Sequence, residues 1–174
     1  MDIQIRNLLE HRIISGNDAL NVLAEDLKNR YYVNLVIVCD TNTAEFCLPP
    51  LLQRVPVLRE ASVLVVPDGE TSKTIDQAIR LWQELTRLNI GRYDLLINLG
   101  GGMITDLGGF VAATYLRGIP FLHVPTTLLA QVDAAIGGKT GIDFEHAKNR
   151  IGLTAFPEAV YCWPGFFGTL PAVE

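Results

Sequence analysis

Four short runs, Leu35 to Cys39, Ser62 to Val66, Leu95 to Leu99 and Phe121 to Val124, are apolar on both of their alternating faces rather than on one. A strand with one face in water alternates apolar and polar residues. A strand apolar on both faces has to be covered on both, as parallel strands between helix layers are. Ala159 to Cys162 is a fifth run of this kind. Helical spacing fills the gaps. Asn17 is placed to cap a helix with Leu20, Leu23, Ala24 and Leu27 on one face. Thr71 or Ser72 is placed to cap a second, with Ile75, Ile79, Trp82, Leu85 and Leu88 as its buried stripe and Gly91 beyond its end. Strand and helix alternate, so the chain is expected to be α/β, with a doubly wound, mostly parallel sheet. Its 174 residues suit one domain.

Composition narrows the function classes. Apolar residues make up 49% and charged residues 19%, which does not suit a disordered chain. The net charge is −5 and no run of Lys and Arg occurs, so no nucleic-acid partner is expected. The start, Met1-Asp2-Ile3-Gln4-Ile5-Arg6, does not read as a signal peptide, and no stretch approaches the ~18 apolar residues of a membrane helix. A cytoplasmic setting without a membrane partner is expected. Cys39, Cys47 and Cys162 form no CxxC pair and read as small apolar fillers. His11, His123 and His146 are far apart, so this stretch carries no self-contained metal site.

The middle of the chain differs from the rest. Ten of the fifteen glycines fall between Gly91 and Gly141, and from Asp94 to Ile142 the only charges are Asp94, Asp106, Arg117, Asp133 and Lys139. A segment this apolar is largely buried, and buried charges need partners or a ligand. Asp106, Arg117, Asp133 and Lys139 therefore stand out, either as internal ion pairs or as site residues.

Four segments carry candidate chemistry. Asn98 to Asp106, with Gly100, Gly101 and Gly102, follows a strand and opens a helix expected to run from Leu107 to Leu116. Bare glycines admit a pyrophosphate to a helix amino end. The spacing is G-x-G-x-x-T, with Thr105 where a dinucleotide fingerprint has glycine, and a tight turn would explain it equally. Asp68-Gly69-Glu70-Thr71-Ser72-Lys73 follows a strand end and suits ribose hydroxyls, or simply a turn and a cap. Thr126 and Thr127 cap a helix or meet a ligand, while Asp133 and Lys139 have no such simple explanation. Gly137-Gly138-Lys139-Thr140 is not a phosphate-binding P-loop, because Asp133 stands where that motif needs glycine. Lys148-Asn149-Arg150 is either an anion site or a solvated basic loop.

Taken in order, the segments DGETSK (68 to 73), GGGMITDLGGFVAATYLRG (100 to 118), VPTTLLAQVDAAIGGKTG (124 to 141), KN (148 to 149) and TLP (169 to 171) resemble the 3-dehydroquinate synthases. The resemblance implies a Rossmann-like domain that binds NAD, with a second, helical, metal-binding domain not contained in this chain. It implies cofactor contacts at Asp40, Asp68, Glu70, Lys73, Gly101, Gly102, Met103, Ile104, Thr105, Asp106, Thr126, Thr127, Lys139, Lys148, Phe166 and Thr169. Asp133 and Lys139 match catalytic residues. Arg117, Lys139, Lys148 and Asn149 match substrate contacts, Arg117 by reaching across a dimer interface. The implied substrate is a phosphorylated seven-carbon keto acid, 3-deoxy-D-arabino-heptulosonate 7-phosphate. The implied course is NAD-dependent oxidation, phosphate elimination, re-reduction and aldol closure, with a divalent metal, zinc or cobalt.

Two departures qualify this. Thr105 replaces a common glycine, and Asp143-Phe144-Glu145-His146-Ala147 replaces the usual Asn-His-Pro-x-Gly. The family's metal ligands lie beyond the stretch matched by Leu170-Pro171, and Glu174 matches an earlier acid. The chain is therefore expected to be an N-terminal nucleotide-binding domain, residues 1–174, of a two-domain enzyme, itself inactive. Other readings are another sugar-phosphate cyclase, a metal-dependent polyol dehydrogenase of the same fold, or a non-catalytic NAD-binding module. Burial of Trp163, Phe166 and Phe167 is expected to depend on the second domain; exposed, they would form a sticky patch.

Overall fold

The computed structural model describes residues 4–8, 11–145 and 147–170; His146, Pro171 and Glu174 of the sequence reading lie outside them. The five expected strands all form. In chain order the strands are β1 (Gln4–Leu8), β2 (His11–Ser15), β3 (Leu35–Asp40), β4 (Ser62–Val66), β5 (Leu95–Gly100), β6 (Phe121–Pro125), β7 (Lys139–Phe144), β8 (Ala147–Thr154) and β9 (Ala159–Cys162). The helices are α1 (Ala19–Asn29), α2 (Thr41–Phe46), α3 (Leu48–Arg54), α4 (Ile75–Arg87) and α5 (Gly102–Thr114). One sheet runs β1-β2-β9-β6-β5-β3-β4, parallel throughout except for β1 against β2. A separate antiparallel hairpin pairs β7 with β8.

Two cores explain the doubly apolar strands. Ile37 and Cys39 of β3, with Leu95, Ile97 and Leu99 of β5, pack beneath α1 and α3. Val36, Val38 and Leu96, the intervening residues, pack beneath α4 and α5. Each strand thus sends alternate residues to opposite helix layers. Strand β4 departs from the expectation. It is the sheet edge, and Val63 and Val65 are 37% and 51% exposed because no helix covers that face.

The helix boundaries also differ in detail. Asp18, not Asn17, precedes α1 as its cap, with no side-chain cap hydrogen bond. Thr74, not Thr71 or Ser72, caps α4: its hydroxyl accepts from the Gln77 amide. The preceding residues instead form a short 3₁₀ turn, Glu70–Ser72. The buried stripe of α4 is Ala78, Leu81 and Leu85, and Ile79 is exposed. The left-handed residue after α4 is Asn89 (φ 54°), whereas Gly91 donates its amide to Asp94 Oδ2 at 2.7 Å.

The chain leaves β3 for β4 on one side and returns to β5 on the other. The carboxyl ends of β3 and β5 therefore flank a topological switch point, the crevice where ligands bind in open α/β sheets. Asp40 ends β3 and Gly100 ends β5.

Candidate functional site

The glycine turn opens α5 five residues earlier than expected, at Gly102, and α5 ends at Thr114 rather than Leu116. Its first turn carries no side-chain cap. Gly101, the residue before it, has no side chain to cover the helix end, and a β-carbon there would stand 3.2 Å from Thr127 Cγ2. The free amide groups and the positive end of the helix dipole thus remain open to an anion. A dinucleotide pyrophosphate fits this cradle. Ile104 and Thr105 are fully buried, and Thr105 Oγ1 donates to Gly102 O at 3.0 Å. The Thr105 amide also donates to Gly101 O at 3.1 Å, so the free amides at the helix end lie before it.

A cleft of about 290 Å³ lies on one side of this helix end. Asp40, Asp68, Gly69, Gly101, Thr126, Thr127 and Thr169 line it. Asp40 is held by a reciprocal cap: its Oδ1 accepts from the Thr43 amide at 2.8 Å, and its own amide donates to Thr43 Oγ1. Asp68 Oδ1 accepts from the Thr41 hydroxyl at 2.6 Å, and that bond holds the carboxyl below its ordinary pKa. Thr127 caps the turn that follows β6, accepting from Ala130 N. Thr126 is buried, its amide bonded to Gly100 O. Phe166 does not face the cleft. Its ring is wholly buried edge-on to Trp163 at 4.8 Å, so it supports the wall that carries Thr169. Within this chain Phe166 is buried and Trp163 is stacked under the Arg54 guanidinium, so of the three aromatics only Phe167 is exposed.

A second cavity, about 650 Å³, is lined in part by Asp106 of α5. Asp106, Asp133, Lys139, Asn149 and Arg150 line it, from four separate stretches of chain. Asp133 sits on a π-helical turn, Ala130–Ala134, anchored where Gln131 Nε2 donates to Pro125 O and Trp163 O. Such turns recur at functional sites. Lys139 opens β7, and Asn149 lies in β8. The basic loop of the sequence reading is therefore a strand. Sequence reasoning missed this hairpin because its residues are nearly all exposed on β8 and show no apolar period.

Beside the second cavity lies a charge cluster around a buried lysine. Lys73, 2% exposed, places Nζ 3.0 Å from Asp106 Oδ2, 3.1 Å from Glu70 Oε1 and 2.6 Å from Asn149 Oδ1. Asp143 Oδ1 is 3.8 Å away. Burial alone would lower the Lys73 ammonium pKa, but Asp106 and Glu70 raise it above its ordinary value. Burial pushes the Asp106 carboxyl up, against the lowering effect of Lys73. Lys73 meets this cluster and does not line the cleft. Asp143, within the segment that departs from the family pattern, is a cluster member the sequence did not single out. Lys148 is exposed, with Nζ 3.7 Å from Glu70 Oε1. Met103 packs half-buried against the second core. Arg117 lies beyond the far end of α5, exposed, about 20 Å from the glycine turn by helix rise. It is not brought to either cavity within this chain.

Among the described residues, no group of three or more His, Cys, Asp or Glu could hold a metal ion. Nor is any described helix long and apolar enough to cross a membrane.

Comparisons with known proteins agree with this geometry. The family model described as 3-dehydroquinate synthase N-terminal matches residues 63–174. The chain is 42% identical to the 3-dehydroquinate synthase of Parabacteroides distasonis over 161 residues, 92% of this chain and 45% of that protein. It is 44% identical to that of Pyrococcus furiosus over 162 residues, 93% of this chain and 47% of that protein. The chain thus spans about half the length of these relatives. Among solved structures, 2-deoxy-scyllo-inosose synthase complexed with carbaglucose-6-phosphate, NAD+ and Co2+ superposes with a TM-score of 0.84 at 20% identity, over 98% of this chain and 47% of that one. An iron-containing alcohol dehydrogenase superposes with a TM-score of 0.73 at 17% identity, over 96% of this chain and 49% of that one. At these identities the likeness concerns the fold alone.

Proposed function

The chain belongs to the 3-dehydroquinate synthase family, and from that premise we propose that it is the nucleotide-binding part of an enzyme converting 3-deoxy-D-arabino-heptulosonate 7-phosphate to 3-dehydroquinate and phosphate. The chain spans about half of its relatives, so turnover is proposed for an enzyme of their length; this chain alone binds nucleotide and is inactive. The observation that carries the reading is the uncapped amino end of α5, whose residues help to line two cavities of different chemistry, Gly101 the first and Asp106 the second.

The backbone amides at Gly102 and Met103 hold the pyrophosphate of NAD. Asp40 and Asp68, at the ends of neighbouring strands, accept from the adenosine ribose hydroxyls, and Thr126, Thr127 and Thr169 close the cleft around it. Asp106 and the second cavity receive the nicotinamide end and the substrate. When bound, NAD supplies a reversible oxidation that acidifies the C–H bond next to the oxidised carbon. Lys139 and Arg150 attract the anionic substrate and stabilise negative charge as it develops. Asp133, exposed on its rigid turn, orients a substrate hydroxyl or takes its proton. The described residues do not make a metal site, so the divalent metal of the proposal would draw its ligands from outside them. Arg117 cannot reach this cavity in its own chain. Its implied role requires a second copy, so a homodimer is part of the proposal.

Relatives at 42% and 44% identity carry the 3-dehydroquinate synthase name, and this favours that substrate over those of the more distant cyclases and dehydrogenases that share the fold. Titration of NAD into the 174-residue chain by calorimetry tests the nucleotide reading. Saturable one-site binding is expected, and a chain that folds without binding NAD would overturn it.

A further inference from the structure

We propose that the β4 edge of the sheet pairs antiparallel with the same edge of a second copy, about a two-fold axis through Leu64, and that the two α4 helices meet there through Arg80 and Glu84. The inference rests on the homodimer reading above and assigns that dimer its surface.

Strand β4 lacks the features that keep sheet edges apart. Soluble proteins blunt an open edge with charge, proline, a bulge or a cover. Ser62–Val66 carries no charge, glycine or proline, and its register with β3 is regular over all five residues. No described strand pairs with its outer side, and Val63 and Val65 stand exposed on the face without a helix. An antiparallel pair centred on Leu64 sets Val63 of each copy opposite the partner's Val65, twice, on that face. Ser62 then lies opposite the partner's Val66, so the whole strand is used. The edge is self-complementary, as a two-fold interface requires.

The helix beside the edge is complementary too. On one side α4 packs against α5, where Trp82 Nε1 donates to Val111 O at 3.3 Å. On the other side Gln77, Arg80, Glu84 and Arg87 border a groove of about 310 Å³ whose opposite wall is Val63 to Val66. A two-fold perpendicular to the sheet lays the two α4 helices side by side and antiparallel. Arg80 and Glu84 are equally far from residue 82, so each Arg80 faces the partner's Glu84. Both groups have capacity to spare. Arg87 binds Glu84 through Oε2 alone, which leaves Oε1. Among the described residues Arg80 meets no carboxylate; its Nη1 donates to Gln77 Oε1 at 3.4 Å.

The same axis turns the copies end for end. Arg117 lies beside the carboxyl end of α4, where Thr86 Oγ1 and Tyr115 OH meet at 3.3 Å. The two-fold directs that end towards the amino end of the partner's α4, which the Glu70–Ser72 turn precedes. The edge pairing is thus consistent with an Arg117 that serves the other copy.

Sedimentation of the 174-residue chain over a range of concentrations tests the surface, with urea midpoints as the control for folding. The wild-type chain is expected to form a dimer. Val65→Lys puts a charge into the pair at an exposed position and is expected to weaken association at least about tenfold. Arg80→Glu and Glu84→Arg set like charges across the axis, and each is expected to do the same. The double variant Arg80→Glu/Glu84→Arg is expected to return to within about threefold of wild type. A wild-type chain that stays monomeric overturns the edge pairing, and sedimentation of an enzyme of the relatives' length then decides the homodimer reading by itself. Dimers unweakened by both Val65→Lys and Arg80→Glu overturn the β4 edge and leave the homodimer reading standing. Weakened single variants without recovery in the double variant overturn the register about Leu64.

Discussion

Gly108 of α5 lies directly against the side-chain amide of Asn98 of β5: a β-carbon at 108 would stand 1.8 Å from Asn98 Oδ1. Asn98 is wholly buried and its Nδ2 meets His123 Nδ1 at 3.2 Å, so it has nowhere to withdraw. This contact sets how closely the helix that carries the glycine turn approaches the sheet. Gly108→Ala should therefore cost about 2–3 kcal/mol, the upper part of the usual overpacking range. Urea denaturation of the variant measures it. A loss within ~0.5 kcal/mol would show that helix and strand can separate freely.

Gly102→Val should act on binding and not on folding. A β-carbon there meets only Ala134 Cβ, at an ordinary 3.6 Å, whereas the valine side chain covers the open end of α5. NAD affinity should fall at least about tenfold, with the denaturation midpoint nearly unchanged. Calorimetry and urea melts on the same preparation separate the two effects.

Lys139→Ala and Asp133→Asn should each abolish turnover in an enzyme of the relatives' length while leaving its fold intact. Both side chains are exposed in the second cavity and take no part in either core. Normal turnover in either variant, measured as phosphate release, would remove that residue from the site.

Alkaline pH should destabilise the chain before any surface group explains it. Burial pushes the Cys39 and Cys162 thiols up to about 12. A folded pKa above the unfolded value means that the stabilising contribution is complete below the unfolded pKa, near 9, and is lost as pH rises from there towards 12. Each thiol contributes a fall of about 1.4 kcal/mol per pH unit in that window. Urea midpoints at pH 8, 9.5 and 10.5 should decline in that order. The thiols should also resist a thiol reagent at pH 8 until the protein unfolds.

Five strands were legible in the sequence because a strand covered on both faces is mostly apolar on both, a pattern that little else produces. The helix layers followed from the intervening apolar spacing. Strand β4 shows the limit: the same apolar run serves an edge, since position in a sheet is a property of neighbours. The β7–β8 hairpin was not legible, because the exposed residues of β8 have no periodic signal and only Ile142 of β7 joins a hydrophobic core. Lys73 illustrates the same limit within the site. The sequence marks it as part of a ligand-binding segment, but its three partners lie 3, 33 and 76 residues away.

The sequence by itself determined the α/β class, the glycine turn at the start of α5 and the small set of charges within the most apolar stretch. These depend on local spacing and on the cost of burying ions. Only the tertiary structure decided which of those charges face a cavity and which face each other. Hydrogen-bond direction and donor count are settled by atoms brought together from distant parts of the chain, and no local pattern encodes them.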